Sequence, residues 1–498
     1  MATLILSAFI LLAQPSYAFI ISNSGEEVTY TYEFEFRSLE RRNSNKNLDA
    51  KELANFHAIH LYGIFHSADY LYDYGLSPDL YEGFAGTHYP EIDSAKIITK
   101  NDDPYLWVRY SAKGKMLVLK PVLKKWLGNK RSGSVTLPLI AELTLVYLDD
   151  MSGYRRNSFK KCTDPSHTET ADFSYFYTPF ACPELSTPPI AKNVEFKITR
   201  VDPNMAASTR VPLAQLRADN GNGNLTVLYF TYGFDQYLES GTSPDKIRKD
   251  EAWKLYKSIH KTLENSYGFQ KIESTAEYRS ALGHHADTIQ LLTPVTMEHD
   301  TQRRYFSTHV KHDGKNIIVV RSALFDTSNS TGASPLLSFP KFWKEAWENG
   351  DFIYYGGHSE DGASLSMVNM LSNLSHDEIK NVQFKTNKTQ VAFIDACSSY
   401  AHFLDMYKSL KSKNLHFISY GVVSLFHLAE TTVNSTLALL LDGPVNITWQ
   451  TALKNVEMSQ LAPQIEYYFG KKLAPSIIKE YEELGEYPQM LLNVSVPD

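Results

Sequence analysis

Four short runs in the second half of the chain are almost wholly apolar: LTVLYFTYG (225–233), DFIYYGG (351–357), QVAFID (390–395) and LHFISYG (415–421). Bounded runs of this length, rich in β-branched and aromatic residues, read as strands buried on both faces. Helical patterns lie between them. SPDKIRKDEAWKLYKSIHKTLENSYG (243–268) opens on a Ser–Pro pair suited to capping, carries acids early and ends at a Gly, so it reads as one helix. KFWKEAWENG (341–350), a segment around 366–380, residues 399–412 and AETTVNSTLALLLDG (429–443) read as helices too. RRYFSTHVKHDGKNIIVVRSALF (303–325) is a hairpin turning at Asp313-Gly314. Alternation of this kind predicts an α/β structure with a mainly parallel sheet and helices on both faces. Ligands and chemistry in such sheets collect at the carboxyl ends of the strands.

The first half has a different pattern. EEVTYTYEFEF (26–36) and NVEFKITRV (193–201) alternate strictly between apolar and polar, and TLPLIAELTLVYL (136–148) is another β-rich run. A helical interruption falls around 48–75. With 498 residues the chain exceeds one ordinary domain. The expected division is a β-rich N-terminal domain at 19–216, a Gly/Asn-rich linker, RADNGNGN, at 217–224, and an α/β domain at 225–498. The N-terminal part fits either a pro-region or a binding module.

A net charge of −7 without a Lys/Arg cluster gives no footprint for nucleic acid. The opening MATLILSAFILLAQPSYA reads as a signal peptide, 1–18, with the mature chain starting near Phe19, although no Lys or Arg precedes its apolar run. No other segment is long and apolar enough for stable membrane insertion, so a secreted, periplasmic or cell-surface protein is expected. Three cysteines are present. Cys162 and Cys182 lie close together in a polar loop, and in an oxidising compartment they would form a disulfide worth about 3 kcal/mol. Cys397 is then left over, as an intermolecular crosslink, an inert buried thiol or a reactive one.

Two of the apolar strands end in reactive residues, one in Gly356-Gly357-His358 and the other just before Cys397. If they are parallel neighbours, both loops open at one sheet edge, and the intervening stretch is long enough for a helical crossover. A thiol becomes a nucleophile as its thiolate, and an adjacent imidazole takes the proton or stabilises the anion. Residues i and i+2 of an extended chain project to the same side, so Asp395 shares its side with Cys397. Asp395 also suits the N-terminus of the helix expected from Ser399.

The pair FIYYGGHS and VAFIDACSS resembles the signature of the caspase-like cysteine peptidases, the group of caspases, metacaspases, legumain, clostripain, gingipains and separase. The resemblance spans roughly 225–440 and is specific only at these two strand ends. It implies a caspase-like α/β/α sandwich, a polypeptide substrate and no cofactor. By it, Cys397 is the nucleophile, His358 the general acid/base, and the backbone N–H groups of Ser359 and Cys397 the oxyanion hole. It also puts Asp395 in the substrate-binding pocket, as in metacaspases, which cut after Arg or Lys. Ser359 replaces the usual Gly after the His, and Ser398-Ser399-Tyr400 replaces the Ser-Gly that often follows the Cys. The competing reading keeps this fold as the scaffold of a secreted interaction protein.

His284, His285, His299, His309 and His312 crowd one stretch with Asp287, Glu298, Asp300 and Asp313. The chain lacks HExxH and paired Cys/His spacings, so no catalytic metal is expected, and His309 and His312 read as decoration on an exposed hairpin. The absence of G-x-S-x-G removes a serine-hydrolase reading.

Overall fold

The computed structural model describes residues 19–41, 49–58, 85–140, 191–201, 209–217, 224–234, 244–297, 305–325, 338–359, 387–411, 413–470 and 491–497, with isolated positions besides. The signal peptide, Cys162 and Cys182, most of the 217–224 linker and the 366–380 segment lie outside the described residues.

The strands are, in order, β1 (Phe19–Ser22), β2 (Gly25–Arg41), β3 (Ala85–Thr87), β4 (Glu91–Ile98), β5 (Tyr105–Leu119), β6 (Ser132–Ile140), β7 (Ala191–Arg200) and β8 (Leu225–Gly233). After them come β9 (Gln270–Ile272), β10 (Tyr305–Asp313), β11 (Asn316–Phe325), β12 (Phe352–Gly356), β13 (Gln390–Asp395), β14 (Leu415–Tyr420) and β15 (Leu492–Val496). Strands β2 to β7 form a six-stranded antiparallel sheet in the order β3-β5-β2-β7-β6, with β4 also on β5. The alternation in EEVTYTYEFEF explains its pleat: Val28, Tyr30, Tyr32, Phe34 and Phe36 are buried, while Thr29, Thr31 and Glu33 face solvent.

The other nine strands form one mixed sheet, β1-β15-β14-β13-β12-β8-β11-β10-β9. Its central strands, β14, β13, β12, β8 and β11, run parallel. Antiparallel pairs border them on both sides: β15 and β1 beyond β14, and β10 and β9 beyond β11. The sequence predicts the parallel centre and the β10–β11 hairpin, while β9, β15 and β1 extend the margins beyond that expectation. The hairpin at Asp313-Gly314 supplies one of them, with Gly314 at φ 61° as its turn requires. β1 lies within 19–216 yet pairs in this sheet, and only Asn23 and Ser24 separate it from β2.

Pleat alternation places helices on both faces. Phe352, Val391 and Phe393 face helices Phe426–Asp442 and Trp449–Phe469 across a small apolar cavity, and Tyr232, on the same face, meets Tyr256 of helix Glu251–Asn265. On the opposite face Tyr355 meets Trp343 of helix Ser338–Asn349, and Phe417 stacks on Tyr407 of helix Leu404–Leu410. The single helix expected over 243–268 is two, Pro244–Ile247 and Glu251–Asn265. Asp250 restarts it: its carboxylate accepts the N–H groups of Ala252 (2.8 Å) and Trp253 (3.3 Å), an N-cap in mid-segment. The 399–412 helix likewise divides into Ser399–His402 and Leu404–Leu410. Among the described residues no helix is long and apolar enough to cross a membrane.

A polar clamp fixes the parallel register at the amino ends of β8, β12 and β13. Asp351 is fully buried; its carboxylate takes Lys388 Nζ at 2.8 Å and the Val227 N–H at 2.7 Å. The Asp351 carbonyl accepts the Val391 N–H at 2.9 Å, and Gln390 Nε2 donates to the carbonyls of Trp347 and Gly350.

The two sheets share one continuous buried apolar cluster. At one point they meet backbone on backbone. A Cβ built on Gly86 of β3 would lie 2.1 Å from the carbonyl oxygen of Gly421, the residue after β14. Nearby, Tyr400 Oη donates to Glu27 at 3.0 Å, and His88 pairs with Asp405 at 3.1 Å.

Two outcomes are expected from denaturant midpoints. Asp351→Ala strands Lys388 in the interior and should cost about 3–5 kcal/mol. Gly86→Ala forces backbone apart and should cost about 1–3 kcal/mol. Losses within about 0.5 kcal/mol would show that neither contact fixes the fold.

Candidate active site

In the paired register of β12 and β13, Gly356 sits opposite Asp395, and the Gly357 N–H donates to the Asp395 carbonyl at 3.2 Å. His358 and Cys397 each lie two residues beyond that pair, at the carboxyl edge of the central sheet. Within the strands, Phe352, Val391 and Phe393 share the face toward helix Phe426–Asp442, and His358 and Cys397 follow in the loops beyond.

Contacts agree with this placement. The exposed His358 ring packs on Phe426 at 5.4 Å between centroids, and the half-buried Cys397 thiol donates to the Ser424 carbonyl at 3.7 Å. One short segment, 424–426, therefore touches both residues of the expected dyad.

The strand-end glycines have a packing role that the sequence did not reveal. Tyr354 folds back over Gly356, where a Cβ would lie 2.7 Å from its hydroxyl, and donates to Asp395 Oδ2 at 2.6 Å. Tyr355 does the same over Gly357 on the other face, with its hydroxyl 2.8 Å from a Cβ there, and donates to the His358 carbonyl at 2.9 Å. The Tyr-Tyr-Gly-Gly run thus holds Asp395 and the His358 backbone at once. Two tyrosines directly ahead of two strand-end glycines are the sequence signal for both contacts.

The turn after Cys397 is held as tightly. Ser398 is buried in the left-handed region, φ 47° and ψ 31°, at a cost of roughly 1–2 kcal/mol for a residue with a Cβ. Its N–H donates to the Val422 carbonyl at 2.7 Å. Ser399, where the resemblance expects Gly, uses its hydroxyl to bridge the β13 and β14 ends, donating to the Ile394 carbonyl (2.7 Å) and accepting the Tyr420 N–H (2.9 Å). Ser359 is buried and keeps a negative φ, so a serine sits there without backbone strain.

Asp395 departs from expectation. A pocket acid needs an open carboxylate, but this one is 4% exposed, with Oδ2 bound by Tyr354 and Oδ1 by the Ser424 hydroxyl. Burial pushes its carboxyl up to about 6, against the lowering effect of the Ser424 and Tyr354 donors. With both oxygens engaged inside the fold, it is a structural acceptor beneath Cys397 rather than a substrate contact, and the N-cap alternative finds no support in its partners.

Elsewhere, His312 is exposed as expected, but His309 is fully buried, a correction. β9 pairs with β10 on that side, and His309 packs against His260 (4.8 Å between centroids) while bonding Glu264 at 3.1 Å. Glu298, His299 and Asp300 lie outside the described residues.

No known family model, curated protein or solved structure matches the chain.

Asp395 gives a stability prediction with a definite sign. Its proton, ordinarily lost near 3.8, is held to about 6 in the fold, so the stability it contributes is complete below about 3.8 and is lost as pH rises to about 6. A difference of that size corresponds to about 3 kcal/mol. Asp395→Asn, which cannot ionise, should be more stable than the native chain at pH 7.5 by up to about that amount, with the advantage vanishing by about pH 4. Equilibrium denaturation at the two pH values checks this; equal stability at both would show that the carboxylate is buried without cost.

Proposed function

We propose that the chain is an exported cysteine endopeptidase of caspase-like fold, with Cys397 as nucleophile and His358 as general acid/base. The observation that supports the reading is the pairing of Gly356 with Asp395 on adjacent parallel strands, two residues ahead of His358 and Cys397, both of which the 424–426 segment touches.

His358 takes the thiol proton, and the Cys397 thiolate attacks the peptide carbonyl carbon. The resulting oxyanion is bound by the N–H groups of Ser359 and Cys397. The protonated His358 then gives its proton to the leaving amine, and a thioester remains on Cys397. Water, deprotonated by His358, attacks the thioester, releasing the carboxylate product and restoring the thiol. Polypeptide is the substrate class. A preference for Arg or Lys at the cleaved bond rested on an open Asp395, and the buried carboxylate does not supply it.

Iodoacetamide labelling at or below neutral pH, read by mass at the Cys397 peptide, tests the dyad. Fast labelling in the native chain is expected, with a loss of about 10²–10⁴-fold in peptide hydrolysis and a clear slowing of labelling in His358→Ala. Equally slow labelling in both proteins would instead mark an inactive scaffold serving as an interaction protein.

A further inference from the structure

The residues around Asp395 form a closed path to the nucleophile. Asp395 does not bond the thiol. Its Oδ1 binds the Ser424 hydroxyl, while the backbone carbonyl of the same Ser424 accepts the thiol hydrogen of Cys397 at 3.7 Å. The loop bearing Ser424 is fixed at its start: the Gly421 N–H donates to the Leu491 carbonyl (3.1 Å), Val422 receives the Ser398 N–H (2.7 Å), and Gly86 of the six-stranded sheet abuts Gly421. Beyond Ser424, Phe426 meets His358.

We propose that Asp395 is a positioning residue for the thiol, acting through Ser424 to aim that residue's carbonyl at Cys397 and to seat Phe426 against His358. The proposal rests on the cysteine-peptidase reading and assigns a role within it.

The chemistry favours an anion for this task. An ionised carboxylate only accepts, so the hydroxyls of Tyr354 and Ser424 must both donate to it and their directions are fixed. Once protonated, the group is itself a donor, and one of the two hydroxyls is free to turn. The titratable side chains facing Asp395 are Tyr354 from β12 and Tyr420 from β14, with Ser424 from the loop and Cys397 two residues on. Burial holds both phenols neutral well above the physiological range and raises the Asp395 carboxyl to about 6, so of these groups it is Asp395 whose charge changes in the range tested.

A purely electrostatic role has the opposite sign. A negative charge near Cys397 disfavours the thiolate, so removing it would speed alkylation. Positioning predicts that removing it slows alkylation.

The test is the iodoacetamide rate at Cys397 in the full chain, followed from about pH 5 to about pH 8 across the carboxyl's range. Native protein, Asp395→Asn, Ser424→Ala and His358→Ala are compared. Asp395→Asn and Ser424→Ala should react about ten- to a hundredfold more slowly than native at about pH 7.5. The gap between native and Asp395→Asn should close below about pH 6, where the native carboxyl is also neutral. Should Asp395→Asn not fold, Ser424→Ala decides alone, since it leaves the buried carboxylate in place. Rates equal to or above native in these variants, with the His358→Ala slowing intact, overturn the positioning role alone. Slow native labelling unaffected by His358→Ala overturns the peptidase reading and the proposal with it.

Discussion

Asp351 sits fully buried where three parallel strands begin, its carboxylate shared between the Lys388 ammonium and the Val227 N–H. A carboxylate in that position tolerates only the register that delivers both donors, because an uncompensated buried charge costs several kcal/mol. Register here is not a detail. Side chains alternate with period two, so a slip of one residue would send a strand's side chains to the other face. The candidate site lies a strand length away, at the other end of β12 and β13. His358 and Cys397 each follow the Gly356–Asp395 pair by two residues, and that pairing follows from the clamp at the amino ends. Stability at one edge of the sheet and geometry at the other are thus one constraint.

The six-stranded sheet enters this arrangement through the backbone. Gly86 leaves no room for a Cβ against Gly421, and Gly421 begins the loop that ends at Phe426. Glu27 and His88 take up the helices that follow Cys397, through Tyr400 and Asp405. β1 ties the sheets again, since it pairs with β15 in one and runs almost directly into β2 in the other. A shift of the six-stranded sheet would therefore reach the segments around the thiol by direct packing.

The parallel core was legible because its strands are continuous apolar runs: LTVLYFTYG and QVAFID are β8 and β13 residue for residue. The margins were not. β9 has three residues and β1 four, too few for a period to show, and β1 is a strand only because β15, far along the chain, pairs with it. The break at Asp250 was hidden because a capping aspartate inside a helical pattern reads as one more polar residue. At the site, the two strand ends were readable from the bounded apolar runs alone. What was not readable is where each polar group finds its partner. Ser424 and Phe426 lie past another strand, and Asp395 reads from sequence as a partly buried pocket acid or a helix cap, whereas Tyr354 and Ser424 take its two oxygens.

Several choices at this edge work against stability. Ser398 holds a left-handed conformation that glycine would adopt freely, and Asp395 is buried as a carboxyl with no cation bonded to it. Each costs of order 1–3 kcal/mol, and each is over-determined by its surroundings: Ser398 by the Val422 carbonyl, Asp395 by two hydroxyls. Some buried charges are paired, Arg321 with Glu345 at 3.0 Å and Lys388 with Asp351, while burial raises the Glu457 carboxyl to about 7 and lowers the Lys411 ammonium to about 8. At this edge the two costs fall on either side of Cys397, and the contacts that hold Ser398 and Asp395 in place fix the backbone that carries the thiol.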